Sequence, residues 1–460
     1  MKKWPLTLTI AGVGGLALAF GLAQVLPNLR TSTSTIEVNI NDPELIKKGE
    51  YIARTADCVA CHSTHNGEKF AGGLPMLTPL GAIYSTNITP DKETGIGNYS
   101  FDDFKNATKH GVRKDNSALY PAMPYPSYQI MPDEDMAAMY AYFMSGVKAV
   151  NQPNRSSELP PVLNLRWPLA YWQFLFAPER TFVAETDDPV LTRGQYLIEG
   201  PGHCGSCHTE RGIGFQEVAL SNAESPEFLS GAVIDGWRAK SLRGEHDGLA
   251  IWSTAELVDF FKTGRTDITA AFGAMAEVVE HSTQYMTEDD LYAMSAYLKT
   301  LSPKPGEPVT ITAKTDTTTQ KLLDGVYDSR GAILYAEYCQ ICHRADGKGV
   351  PRIFPALDGN SAVYSRDAHS VLKITLSGGR MPDTPHDRMA FTMPEFINLS
   401  DADIAEVVNY IRNSWTNQGS TVDVDDVVKM RHFLSKKPKA GTDFPPDLSI
   451  TAAAEGAQHE

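Results

Sequence analysis

The sequence has no cysteine to spare: there are six in 460 residues, and each belongs to a Cys-x-x-Cys pair. An even cysteine count in an exported chain would ordinarily suggest a disulfide framework, and this spacing excludes that. Positive charge is also scarce. Lys and Arg number 41 against 56 Asp and Glu, for a net charge of −15. Nucleic acid is thereby excluded as a partner, because phosphate binding requires a cationic excess. The balance fits a body kept soluble by its charge, or one that meets partners through acidic patches. The pattern Gly-x-Ser-x-Gly is absent, so nothing points to a nucleophile elbow. What remains is globular material, 42% hydrophobic and 21% charged. That is too apolar for a disordered chain and long enough for two to four domains of roughly 100 to 200 residues.

Charge is missing altogether from Trp4 to Leu29. Lys2 and Lys3 precede this run, Leu6 to Leu26 is rich in Leu, Ala, Gly and Val, and Gly21-Leu22-Ala23 offers small residues to a signal peptidase. About 20 apolar residues also suffice to span a bilayer, with Pro27 and Arg30 as the exit. Residues 1–30 are therefore expected to be either an export signal or an uncleaved N-terminal membrane anchor.

The strongest signal is repetition. Cys58-Val59-Ala60-Cys61-His62 recurs as Cys204-Gly205-Ser206-Cys207-His208 and as Cys339-Gln340-Ile341-Cys342-His343. Six cysteines and twelve histidines scattered at random over 460 positions would give about 0.002 such matches. The motif reads as c-type haem attachment. Two thiols one helical turn apart add across the two vinyl groups of haem, and the adjacent histidine lies under the iron. A zinc or thioredoxin-like site would explain the paired cysteines but not the histidine that follows them every time.

The flanks repeat as well. Gly49-Glu50-Tyr51-Ile52 precedes the first motif, Arg193-Gly194-Gln195-Tyr196-Leu197 the second, and Arg330-Gly331 with Leu334 and Tyr335 the third. A glycine in the same place each time predicts a first helix that approaches another helix closely. Asp135 and Tyr142, Asp290 and Tyr297, and Asp403 and Tyr410 mark the end of each unit, with apolar residues at helical spacing between them. Thr287 with Asp290, and Ser400 with Asp403, predict N-caps.

This pattern resembles class I cytochrome c, in which N- and C-terminal helices cross over a haem cleft. The resemblance implies an all-α fold of three tandem class I cytochrome c domains, each with one covalently bound haem c. The expected domains are residues 37–150, 191–302 and 325–418. A Pro- and aromatic-rich connector spans 151–190, a linker 303–324, and a short helix with a flexible tail 419–460. In such domains a proline carbonyl accepts the proximal histidine Nδ1–H, and Pro355 stands at the matching place after His343. A methionine from the loop before the last helix closes the iron's second face. Met123 in Tyr120-Pro121-Ala122-Met123-Pro124, Met275 in Phe272-Gly273-Ala274-Met275, and Met393 in Thr392-Met393-Pro394 fit that role. Met286 is a rival in the second unit, and Met381 and Met389 in the third. Met381 lies between Gly378-Gly379 and Pro385, which reads as a mobile loop. Met136, Met139 and Met294 sit at apolar helix positions and read as core.

Longer phrases are similar to one family. They are Asp57-Cys58-Val59-Ala60-Cys61-His62, Tyr84-Ser85-Thr86-Asn87-Ile88-Thr89-Pro90-Asp91, Tyr120 to Pro126, Arg166-Trp167-Pro168-Leu169, and Gly200-Pro201-Gly202-His203-Cys204. From about residue 45 to 418 the chain resembles the tri-haem cytochrome c subunit of membrane-bound dehydrogenases. These include the quinoprotein alcohol type and the flavin-dependent gluconate, sorbitol and fructose types. The resemblance implies a complex on the periplasmic side of the bacterial cytoplasmic membrane. The chain would take electrons from a catalytic quinoprotein or flavoprotein subunit and deliver them to ubiquinone. Arg166 to Pro178 holds Trp167, Tyr171, Trp172, Phe174 and Phe176, a density that suits the membrane surface or the quinone route, or packing between the first two units. The alternative is a self-contained haem enzyme of peroxidase or oxidase type with an open iron, which a missing methionine ligand would betray.

Overall fold

The computed structural model describes residues 4–436 apart from 79, 162–163, 308–309 and 311–313, with the backbone alone for residues 4–13 and 16. The expected tail from residue 437 and part of the 303–324 linker lie outside the described residues. Helix α1 (Trp4–Val25) leads the chain. Around the first motif come α2 (Pro43–Thr55), α3 (Cys58–His62), strands β1 (Pro75–Thr78) and β2 (Gly81–Tyr84), α4 (Phe101–His110), α5 (Tyr125–Tyr128) and α6 (Asp133–Ala141). After α7 (Trp167–Phe176) the second stretch has α8 (Pro189–Glu199), α9 (Gly205–His208), β3 (Ala232–Ile234), β4 (Trp237–Ala239), α10 (Thr254–Thr263), α11 (Ala274–His281) and α12 (Glu288–Thr300). The third has α13 (Thr318–Leu323), α14 (Arg330–Tyr338), α15 (Gln340–His343), α16 (Ser361–Tyr364), α17 (His369–Ser377), β5 (Gly379–Arg380), β6 (Thr392–Met393), α18 (Asp401–Asn413) and α19 (Val424–Lys436). Among the described residues no helix is long and apolar enough to cross a membrane.

The expected all-α fold needs one amendment. Three two-stranded antiparallel hairpins, β1–β2, β3–β4 and β5–β6, accompany the helices. In the second, Asp235 and Gly236 both take positive φ, 53° and 74°, as an Asp-Gly turn between tightly paired strands requires.

Local chemistry explains the helices. Asp42 and Asp188 cap α2 and α8 alike, each accepting two backbone N–H groups ahead of a proline in the first turn. Both α4 and α10 open with a capping box, Ser100 with Asp103 and Ser253 with Glu256, and close on a left-handed glycine, Gly111 or Gly264. As the sequence predicts, Thr287 and Ser400 accept from the N–H of Asp290 and Asp403.

In each stretch the helix that leads into the motif packs on the helix bearing the repeated aspartate: α2 on α6, α8 on α12, α14 on α18. The three glycines permit this. A Cβ on Gly49, Gly194 or Gly331 would run into the backbone carbonyl of Ala138, Ala293 or Glu406. The basic residue ahead of each glycine then pairs with the repeated aspartate, Lys48 with Asp135 at 2.7 Å, Arg193 with Asp290 at 2.8 Å and Arg330 with Asp403 at 2.7 Å.

Among the described residues, buried apolar side chains form two clusters. One runs unbroken through the first two stretches, from Ile52, Met136 and Phe143 to Leu197, Phe228 and Met294. The other belongs to the third, around Tyr335, Leu376, Val408 and Trp415. The shared cluster has a reciprocal polar seam. Tyr51 donates to Asp290 and Tyr196 donates to Asp135. Each tyrosine lies two residues after its crossing glycine, so the first two stretches are related by an approximate twofold exchange. The third has Ile333 there and stays outside it. Tyr196→Phe should cost about 1.5 kcal/mol, the value of a hydrogen bond to a charged group. The surface substitution Tyr84→Phe should be near neutral. Denaturant titration of both variants checks this, and equal midpoints would show that the seam contributes nothing.

Candidate functional sites

Each motif histidine is oriented by a backbone carbonyl. His62 Nδ1 lies 2.7 Å from the Thr86 oxygen, His208 Nδ1 2.7 Å from that of Lys240, and His343 Nδ1 2.9 Å from that of Pro355. A carbonyl only accepts, so Nδ1 carries the proton and Nε2 keeps a lone pair for a metal. Burial lowers the affinity of all three rings for a second proton, that of His208 to about 4. The neutral, ligating form therefore persists at neutral pH.

Pro355 stands where the sequence places it. Thr86 and Lys240 perform the same task in the first two stretches, and sequence reading finds neither. Three further glycines escape it as well. Gly72, Gly231 and Gly349 have φ of 73°, 89° and 59°, a left-handed conformation suited to glycine. They donate their N–H to the carbonyls of His62, His208 and His343. A Cβ on any of them would press on the segment bearing the acceptor: Thr86, then Ala239 and Ser241, then Phe354 and Pro355. A positive-φ glycine some 6 to 23 residues after each histidine is the only sequence signal, and it is a weak one.

The six cysteines lie on or at the start of α3, α9 and α15, and none is in a disulfide. Burial pushes the Cys204 and Cys339 thiols up to about 12. Among the described residues no group of three or more His, Cys, Asp or Glu is poised to hold a metal ion. Two thiols a turn apart, beside a histidine whose Nε2 is free, form the donor set that covalent haem c requires. The residues fit the group.

Met123, Met275 and Met393 are each half-buried. Met286 and Met381 are 2% and 3% exposed, packed on every side, and Met389 is 59% exposed. Met136, Met139 and Met294 lie in the core, as expected. The segment around Met381 differs from the mobile loop read from Gly378, Gly379 and Pro385. The Arg265 guanidinium, in the second stretch, donates to Pro382 and Asp387, and Glu280 accepts from the Asp383 N–H. Side chains far away in sequence hold it.

The sites adjoin in chain order. Helix α11, which carries Met275, packs on α3 of the first motif. Cys61 and Cys207, the second thiols of their motifs, lie within electrostatic reach of one another, and the ring of His203 sits 5.6 Å from that of Tyr128. Between the second and third sites, Lys240 Nζ donates to Ser361 Oγ at 2.6 Å and the Ala356 N–H to the Ile268 carbonyl at 2.8 Å. The segment that holds His208 and the one that holds His343 therefore each bond across to the other stretch.

Known proteins are similar to this chain. The family model described as Cytochrome c matches residues 46–146 and 329–415. The gluconate 2-dehydrogenase cytochrome c subunit of Pantoea cypripedii is 50% identical over 395 residues, 84% of this chain and 89% of that one. The alcohol dehydrogenase (quinone) cytochrome c subunit of Gluconobacter oxydans is 44% identical over 427 residues, 92% of this chain and 86% of that one. The fructose dehydrogenase cytochrome subunit of Gluconobacter japonicus is 34% identical over 424 residues, 86% and 84% of the two chains.

Proposed function

We propose, because this chain belongs to the family of cytochrome c subunits of dehydrogenases, that it relays electrons from a catalytic dehydrogenase subunit to ubiquinone. It does so on the periplasmic face of the cytoplasmic membrane, to which residues 1–30 deliver or fasten it. One covalently attached haem c belongs to each of three domains, 37–150, 191–302 and 325–418. The observation that carries the reading is the threefold recurrence of one arrangement: a Cys-x-x-Cys pair beside a histidine whose Nδ1 meets a backbone carbonyl.

Haem c, when bound, supplies reversible one-electron chemistry. The chain's own residues do the rest. Cys58 and Cys61, Cys204 and Cys207, and Cys339 and Cys342 anchor the groups. The carbonyls of Thr86, Lys240 and Pro355 fix the tautomer of His62, His208 and His343 and raise the basicity of Nε2. Met123, Met275 and Met393 would hold the irons together with these histidines. The contiguity of the three sites, with the second in the middle, suits a relay.

The intact mass should exceed that of the apoprotein by three haems, and a pyridine haemochrome assay should give three per chain. Free thiols, or haem extractable into acid acetone, would rule out full attachment. Purified with its catalytic subunit and supplied with that enzyme's substrate, the chain should reduce a short-chain ubiquinone. Reduction at the same rate by the catalytic subunit alone would remove the chain from the route.

A further inference from the structure

The three motif histidines are oriented alike, but the supports behind them differ. His208 is held from both ends of one hairpin. Gly231, the residue before β3, donates its N–H to the His208 carbonyl at 2.8 Å, and Lys240, the residue after β4, accepts from His208 Nδ1 at 2.7 Å. The same hairpin touches the segment that carries Met275. A Cβ on Gly273, two residues before that methionine, would run into the Trp237 indole. A lone hairpin with strands this short is marginal by itself, so its position is decided by what it packs against.

The third stretch grips it. Ser370 on α17 meets β4 twice: its Oγ accepts from the Arg238 N–H at 2.9 Å and donates to the Arg238 carbonyl at 3.3 Å. One hydroxyl thus satisfies both backbone groups of a residue, as a further strand would. Lys373, one turn along α17 and 5% exposed, donates to the Asp235 carbonyl in the turn at 2.6 Å. Its Nζ lies 4.5 Å from the centre of the Trp237 ring, within cation–π range. From α19 the Phe433 ring closes on Gly236, where a Cβ would meet it. The first stretch offers a contrast. Its hairpin β1–β2 also leads to the acceptor for its histidine, Thr86, but the connector holds it: the Glu158 N–H donates to the Ala82 carbonyl at 2.8 Å, and the Tyr84 hydroxyl donates to the Glu158 carboxylate at 2.6 Å.

We infer that Ser370 and Lys373 are positioning residues for the second iron: by fixing the β3–β4 hairpin they press the Lys240 carbonyl onto His208, so the third stretch tunes the potential of its neighbour in the relay. The inference rests on the reading that His208 ligates a haem iron. A carbonyl on Nδ1–H raises the basicity of Nε2, and a more basic axial ligand favours the ferric state and holds the potential down. Loosening the hairpin should therefore raise it.

The test is a spectroelectrochemical titration of the full-length haem-loaded protein, with the centres assigned by the potential that falls most in Met123→Ala, Met275→Ala and Met393→Ala. Ser370→Ala and Lys373→Met should each raise the potential of the second centre and leave those of the first and third unmoved. The carbonyl is loosened rather than removed, so the effect stays below the tenfold that loss of such a partner brings. It should be about a threefold change in the oxidised-to-reduced ratio, or about 30 mV for one electron. Ser370→Thr keeps the hydroxyl and should behave as wild type, as should Lys429→Met at an exposed position on α19. A shift at all three centres, or a loss of haem, would show a general loosening and overturn the assignment. Three unmoved potentials in both variants would overturn it too, and would leave the relay itself standing. Fewer than three haem centres in the wild-type titration would overturn the reading beneath it.

Discussion

Arg265→Ala should cost about 3 kcal/mol and let trypsin cleave after Arg388 roughly a hundred times faster. Arg265 follows α10 and is 1% exposed. Its Nη2 donates to the Pro382 carbonyl at 2.8 Å, and its Nη1 to Asp387 at 3.1 Å and the Arg352 carbonyl at 3.3 Å. Asp387 is shared with Arg352 at 3.1 Å, and Arg352 reaches back to Asp259 at 2.6 Å. A charge this deep is tolerable only when it is paired. Truncation strands two carbonyls and takes one partner from Asp387. Because Arg352 still reaches Asp387, the cost belongs at the lower end of the roughly 3–5 kcal/mol seen when a buried ion pair is broken. Arg388 is exposed, so cleavage there reports how often the segment opens. Arg265→Lys keeps the charge but replaces the guanidinium fork with a single compact head, and should fall between alanine and wild type. An unchanged cleavage rate in Arg265→Ala would show that the segment is held by other contacts, and the network would lose its assigned role.

That network also shows where sequence reading stops. The three motifs, the crossing glycines, the caps at Thr287 and Ser400 and the role of Pro355 were legible because each is a side chain, or a missing one, at a short fixed distance from a landmark. Thr86 and Lys240 were not, for a physical reason. The group that orients each histidine is a backbone carbonyl, which any residue supplies, and in the first two stretches a β-hairpin lies between motif and acceptor. The third stretch reaches its acceptor without one. The pairing of the first two stretches through Tyr51 and Tyr196 did have a signal, an aromatic two residues after the crossing glycine in two units and Ile333 in the third. Its partners Asp290 and Asp135 lie in the other unit, so only the folded chain joins the two halves. Gly378, Gly379 and Pro385 suggested freedom because the residue that removes it, Arg265, is far away in sequence.

Met393→Ala should remove about a third of the near-infrared iron–sulfur charge-transfer absorbance and create one carbon-monoxide-binding haem. Three methionines lie between the third motif and α18, and the structure separates them by how each is held. Met393 is fixed by its backbone. It pairs with Gly379 across β5 and β6, and a Cβ on Gly378 would press on its carbonyl. Its side chain is half-buried. Met381 is equally well fixed, its N–H donating to the Phe391 carbonyl at 3.0 Å, but at 3% exposure its thioether is packed among protein atoms. Met389 has the opposite fault: it is 59% exposed, so its side chain is not held by packing. A thioether binds iron weakly, so the ligand must be both positioned and accessible, and Met393 alone meets both conditions. Met381→Ala should therefore leave the charge-transfer band and the carbon monoxide response intact and act only as a core truncation, costing about 2–5 kcal/mol. Should Met381→Ala open an iron while Met393→Ala changes neither signal, the third ligand would have to be reassigned. Should Met393→Ala, Met381→Ala and Met389→Ala all leave them unchanged, that iron is open already, and the chain would be a haem enzyme at its third site rather than a carrier at all three.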